Sequence, residues 1–163
     1  MRVRITVYEV APEADVRCTA GWTLYRALRP DVDFLFVGVA EDDSLAAPAG
    51  HAHAGVYDVV REDGTPDVEG GVVLIDPFEV PEEDDERFLA GWDRAREVLR
   101  RQRGYLGARL HRSVGPAGFR FVDVARWSSP LMFARALKQP DFQQAALPFP
   151  SHPAVYQPIR GST

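Results

Sequence analysis

Side chains able to do chemistry concentrate in one stretch of the chain. In Phe119-Arg-Phe-Val-Asp-Val-Ala-Arg-Trp127, alternation puts Phe121, Asp123, Ala125 and Trp127 on one face of a strand and Val122 and Val124 on the other. A carboxylate beside an indole can accept a hydrogen bond from a phenolic ligand, or take its proton, while the indole stacks on its ring. The preceding stretch places Arg109, His111 and Ser113 on one face, adding a guanidinium and an imidazole whose ordinary pKa suits proton transfer. Two arrangements compete. In one, Asp123 is an acceptor or base, with Arg109 or His111 near a developing oxyanion. In the other, Arg109 and Asp123 form an ion pair without catalytic meaning and His111 is simply hydrogen-bonded.

The elements that must position these residues can be read from periodicity. Val72 to Val80 reads as a strand, and Pro81-Glu-Glu-Asp-Asp-Glu86 supplies the acidic first turn of a helix. From Glu83 to about Gln102, Phe88, Leu89, Trp92, Ala95, Val98 and Leu99 recur at spacings of three and four, a single apolar stripe. Gly104 ends that helix, and Tyr105–Val114 and Phe119–Trp127 form a hairpin around Gly115-Pro-Ala-Gly118. Ser129 caps and Pro130 opens a second helix to about Ala146, bent at Pro140, and Ala154–Ile159 closes the unit as a strand that Pro158 restricts to an edge. The order β-α-β-β-α-β is a ferredoxin-like split βαβ unit. If its valine face packs under the helices, the Asp123/Trp127 face looks into whatever encloses the far side of the sheet.

The first half echoes the second. Tyr8-Glu-Val10 matches Phe78-Glu-Val80 and Ala20-Gly-Trp22 matches Ala90-Gly-Trp92; Leu24-Tyr-Arg26 matches Leu110-His-Arg112, Phe36-Val37 matches Phe121-Val122, and His53-Ala-Gly-Val-Tyr57 matches His152-Pro-Ala-Val-Tyr156. The offset grows from 70 to 86, 85 and 99, so the first half is a duplicate that keeps its strands and loses its helices. The polar, Gly- and Pro-bearing run Arg61–Gly71 separates the halves, giving a degenerate unit at 1–63, a linker at 64–71 and a complete unit at 72–160. The halves either pair with each other as an intrachain pseudo-dimer or leave the complete unit to pair in a homodimer.

Composition narrows the function. The chain has 163 residues, 45% of them hydrophobic, and a net charge of -5 with both signs interspersed, so it has no basic stripe for nucleic acid. Cys18 is the only cysteine, which excludes an intrachain disulfide and fits a reducing compartment. The N-terminal stretch lacks the apolar block of a secretion signal or membrane helix, so the expected place is the cytoplasm. His51 and His53 form a His-Ala-His pair without a third ligand, and no metal is expected. Phosphate-binding glycine loops and the Gly-x-Ser-x-Gly elbow are missing from the sequence, so no cofactor is expected either.

Val73-Leu-Ile-Asp-Pro-Phe-Glu-Val-Pro81, Phe88-Leu-Ala-Gly-Trp92, Gly104-Tyr-Leu-Gly-Ala-Arg-Leu-His-Arg112, Phe121-Val-Asp-Val-Ala-Arg-Trp127 and His152-Pro-Ala-Val-Tyr156, in this order, resemble the antibiotic biosynthesis monooxygenase family. The resemblance implies an α+β fold: a ferredoxin-like βαββαβ module of a dimeric α/β barrel, here preceded by a shortened, degenerate copy. It also implies a cofactor-independent monooxygenase that converts an anthrone-type aromatic polyketide to a quinone through the substrate's own carbanion. The alternative is a non-catalytic binding or accessory protein for polyketide cyclisation or tailoring. Anthrone oxygenases of this kind carry Asn four residues before the strand Trp and Tyr six after it; this chain keeps Trp127 and has Asp123 and Phe133. The heme-degrading branch has Asn on the first strand and Trp and His on the second helix, where this chain has Asp76, Ala136 and Ala146. The expected site is therefore Asp123, Trp127 and His111 as catalytic groups, with Arg109, Phe121, Phe133 and Asp76 around a small aromatic substrate.

Overall fold

The computed structural model describes residues 1–8, 20–47, 50–145 and 147–159. Its strands are β1 (Arg2–Tyr8), β2 (Thr23–Ala27), β3 (Phe36–Ala40), β4 (His53–Gly64), β5 (Val72–Phe78), β6 (Tyr105–Ser113), β7 (Phe121–Trp127) and β8 (Ala154–Pro158). The helices are α1 (Asp85–Leu99), entered through a 3-10 turn at Glu82–Asp84, then α2 (Pro130–Leu137) and α3 (Pro140–Gln144). Among the described residues, all helices lie in the second half. Glu9, Val10, Cys18 and Ala146 fall outside the described residues.

The strands close into one barrel in the order β1-β3-β2-β8-β5-β7-β6-β4. Each half contributes a four-stranded ferredoxin-like sheet, and the sheets join along β2–β8 and β4–β6. The intrachain pairing is thus the one adopted. Register preserves the repeat seen in the sequence: Thr6 opposes Gly38 where Asp76 opposes Asp123, Leu24 opposes Gly38 where Leu110 opposes Asp123, and Val3 opposes Tyr57 where Val73 opposes Tyr156. The Ala-Gly-Trp echo differs, because Trp92 lies within α1 and Trp22 leads into β2.

The halves also clasp one another crosswise. The Tyr57 hydroxyl donates to the Phe119 carbonyl at 3.0 Å, and the equivalent Tyr156 hydroxyl donates to the equivalent Phe34 carbonyl. Phe34 and Phe119 meet edge to face at 5.4 Å, and His53 and His152 pack against both rings, closing one end of the barrel.

Three expectations are corrected. Arg61–Gly64 is not linker but the end of β4, paired with β6 beyond a bulge between Val59 and Arg61. β8 is not an edge: it pairs with β5 and β2, and Pro158 is tolerated because it is the strand's last residue, after which the Ile159 amide donates to the Leu24 carbonyl. The faces of β7 are the reverse of those expected. Val122 and Val124 turn inward with Val3, Ile5, Val7, Val73 and Ile75, while Phe121, Ala125 and Trp127 pack under the helices with Phe88, Trp92 and Ala136. An eight-stranded barrel has room for compact branched side chains inside. On β7 the two large aromatics, Phe121 and Trp127, go to the helix layer, where Phe121 stacks on Phe88 at 4.2 Å.

The helix signals operate as their sequence suggests. The Ser129 hydroxyl accepts from the Met132 amide at 3.2 Å, with Pro130 in the first turn. Pro140 breaks rather than bends the second helical stretch, opening α3. Gly104 takes φ +91°, a conformation other residues reach only with strain, and so turns the chain from α1 into β6.

Candidate functional site

The site lies between the outer face of β5 and β7 and the helix layer. Asp76 and Asp123 are direct cross-strand partners on this face, which holds like-charged carboxyls side by side. Trp127, four residues along β7, is fully buried, its ring edge-on to Tyr105 at 5.5 Å and to Phe133 of α2 at 5.3 Å. Trp92 comes down from α1, and Ser151 and Pro153 come from the segment after α3. Together they enclose a cavity of about 240 Å³, lined mainly by Leu74, Leu99, Ala125, Leu137 and Phe142 in addition to these groups. That volume lies just below the usual range of ligand cavities, so it suits only a compact planar molecule.

The electrostatics are unusual for so apolar a space. Burial pushes the Asp76 carboxyl up to about 7, against the pull of the Ser151 hydroxyl, the His152 backbone amide and the His152 ring. Burial, and then the neighbouring Asp76, push Asp123 up to about 7, opposed by a hydrogen bond from Trp92. Two carboxyls this close titrate as a pair, so near neutrality they hold about one proton between them. Asp76 Oδ1, Asp123 Oδ1 and Trp127 Nε1 are buried without a hydrogen-bond partner. Unsatisfied buried polar atoms cost stability, and their gathering at one cavity is what a ligand site requires.

Residues 72–146 match the family described as antibiotic biosynthesis monooxygenase. A putative monooxygenase from Shewanella loihica PV-4 is 33% identical, covering 58% of this chain and 99% of that one with a TM-score of 0.51. The chain belongs to the antibiotic biosynthesis monooxygenase family. Two further structures match almost end to end. An anthrone oxidase-like protein has TM-score 0.65 and 11% identity, covering 98% of this chain and 90% of that one. A heme-degrading enzyme from Listeria monocytogenes has TM-score 0.57 and 17% identity, covering 96% and 98%. At these identities they show the fold. No curated protein matches the chain.

In this family member the seven residues singled out from sequence divide between the two faces of the sheet. Asp76, Asp123, Trp127 and Phe133 line the same cavity. Phe121 shares their face but is core, stacked on Phe88. Arg109 and His111 are on the opposite face and cannot serve Asp123. Arg109 instead pairs with Glu62 at 2.8 Å and with Asp67, which removes the expected Arg109–Asp123 pair. His111 is buried with Nδ1 3.0 Å from the Val122 carbonyl, and burial drives its pKa down to about 4. The expected route to Trp127 through the lumen fails for the same reason: the cavity that reaches Trp127 is under the helices.

Sequence reasoning missed Trp92 and Ser151 as polar partners of the carboxyls, and it missed the Asp76–Asp123 pairing. The repeat marks residues 76 and 123 as the equivalents of 6 and 38, but the pairing itself is a matter of register that the sequence does not show.

Proposed function

We propose that this protein is a cofactor-independent monooxygenase of a compact phenolic aromatic, of the anthrone-to-quinone type, with the Asp76–Asp123 pair as general base. The observation that supports this reading is the carboxyl pair itself, with pKa values near 7 and free oxygen atoms facing an apolar cavity walled by Trp127. A base poised near neutrality suits removal of an acidic ring-flanked CH proton, and the low-polarity surroundings strengthen its effect. The carbanion passes one electron to O2, and the resulting radicals combine to a hydroperoxide. Loss of water then leaves a carbonyl, so CH2 and O2 become C=O and H2O. Trp127 Nε1–H, lacking any other acceptor, can donate to the substrate oxygen on which charge develops. The likeness to an anthrone oxidase-like protein is consistent with this chemistry.

The second reading is a binding module that holds an aromatic intermediate without turning it over. Phe133 favours it, since it leaves this side of the cavity without the hydroxyl found in the oxygenases that the sequence resembles.

Both are tested by following quinone absorbance from a model anthrone under air with the metal-free protein. The oxygenase reading expects turnover that rises through about pH 7, falls at least about 100-fold in Asp76→Asn, and weakens in Trp127→Phe. Tight binding of the anthrone without turnover would replace it by the holding reading; turnover unchanged in both variants would sink the site.

A further inference from the structure

We propose that the end of the barrel away from the Phe34/Phe119 closure is a second ligand site, taking a compact aromatic monocarboxylate that also carries a hydroxyl. It does not depend on the oxygenase reading, because it lies on the opposite face of the sheet from Asp123. At the end of the barrel away from the Phe34/Phe119 closure, a cavity of about 740 Å³ opens between the halves. Its floor is Val3, Val39 and Val124, an apolar surface broad enough for a ring.

Three polar groups face that floor with hydrogen-bonding capacity left over. Arg126 donates through Nε to the Pro66 carbonyl at 3.2 Å, and among the described residues no carboxylate forms an ion pair with it. Its neighbour Arg109 differs, being closed by Glu62 and Asp67. An unpaired guanidinium at a cavity wall is a carboxylate receptor, able to grip both oxygens at once. His111 must carry its proton on Nδ1, because that atom faces the Val122 carbonyl, which can only accept. Nε2 therefore holds a lone pair, and the ring stays neutral, so it accepts from a ligand hydroxyl rather than binding an anion. Tyr25, on the first-half wall, adds a hydroxyl that burial keeps protonated and that lies within the field of Arg126.

The rim sets the charge limit. Glu41, Asp42 and Asp67 surround the opening, and Asp67, although held by Arg109, also feels Arg126. One carboxylate can be matched by Arg126, whereas a di- or polyanion would meet uncompensated repulsion from these three. Nucleotides and sugar phosphates are thus disfavoured, and a hydroxybenzoate-like monoanion fits.

The test is calorimetric titration of the full chain with 4-hydroxybenzoate and with 4-hydroxybenzamide, which keeps the shape and removes the charge. Saturable binding of the acid is expected, weakened at least about tenfold for the amide and about tenfold in Arg126→Gln, with Trp127→Phe unchanged. If Arg126→Gln fails to fold, the comparison of acid with amide on the wild-type protein decides. The proposal is overturned by absence of saturable binding, by equal affinity for acid and amide, or by a loss in Trp127→Phe that Arg126→Gln does not share.

Discussion

Replacing Asp123 by Asn should stabilise the protein at alkaline pH and leave it unchanged in acid. The amide nearly matches the carboxylic acid in shape and can still accept from Trp92, but it cannot ionise beside Asp76. In the wild type, the folded state raises the Asp123 pKa from the ordinary 3.8 to about 7, by burial first and by Asp76 second. Below both values the carboxyl is protonated whether the chain is folded or not, and it contributes no difference. Between them the unfolded chain gives up a proton that the folded protein retains, so stability declines as pH rises; above about 7 the loss is complete. A rise of this size corresponds to roughly 4 kcal/mol, as an upper bound. Urea unfolding followed by tryptophan fluorescence should therefore give matching free energies for variant and wild type near about pH 4 and a variant advantage approaching about 4 kcal/mol near about pH 8.5. A constant difference across that range, or an advantage in acid, would refute the reasoning, because an unstrained or solvated carboxylate would produce it.

Tyr57→Phe and Tyr156→Phe should each destabilise by about 1–3 kcal/mol in chemical denaturation, since each leaves a buried carbonyl of the opposite half unpaired. Similar losses are expected from the two variants because the bonds are related by the repeat. For His152, burial lowers the pKa, but hydrogen bonds from its ring to Asp33 at 2.6 Å and Glu79 at 3.2 Å, with their charges, more than offset that and raise it above 6.5. That stabilisation is present below 6.5 and disappears as pH rises through the raised value. In Asp33→Asn the His152 NMR titration should move toward acid and the acid-side stability should fall, with little change near about pH 9.

Most of the second half was legible because its signals are local. The stripe from Phe88 to Leu99, the Ser129-Pro130 start and the alternation from Phe121 to Trp127 each depend on neighbours in sequence, and each forms within a few residues of its expected limits. The repeat also carried long-range information, because shared offsets fix which strands take equivalent places. What alternation cannot give is the side of the sheet that faces inward. Val122/Val124 and Asp123/Trp127 alternate equally well either way, and the choice depends on the interior volume of a barrel that includes the other half. Arg109 and His111 miss the Asp123 site for a different reason, the hairpin register: they lie beside Val124 and Val122, and Leu110 lies opposite Asp123, whichever face turns inward.

The asymmetry between the halves follows from the same geometry. At the first-half position equivalent to the carboxyl pair stand Thr6 and Gly38, and a methyl group on Gly38 would come within 2.7 Å of the Thr6 hydroxyl and 3.2 Å of the Trp22 ring. Trp22 therefore covers the place that the second half leaves as a cavity, and it does so from the chain leading into β2. A two-chain barrel of identical subunits must keep both sites or neither, since one sequence builds both. Once the halves are joined in one chain, the first can replace an acidic, unsatisfied pocket with a glycine packed under an indole. Among the duties it keeps are mechanical ones: four strands to close the barrel, Tyr57 to hold Phe119, and Asp33 to hold His152 beside Asp76. Those mechanical duties are performed by the strands or by the turns at their ends.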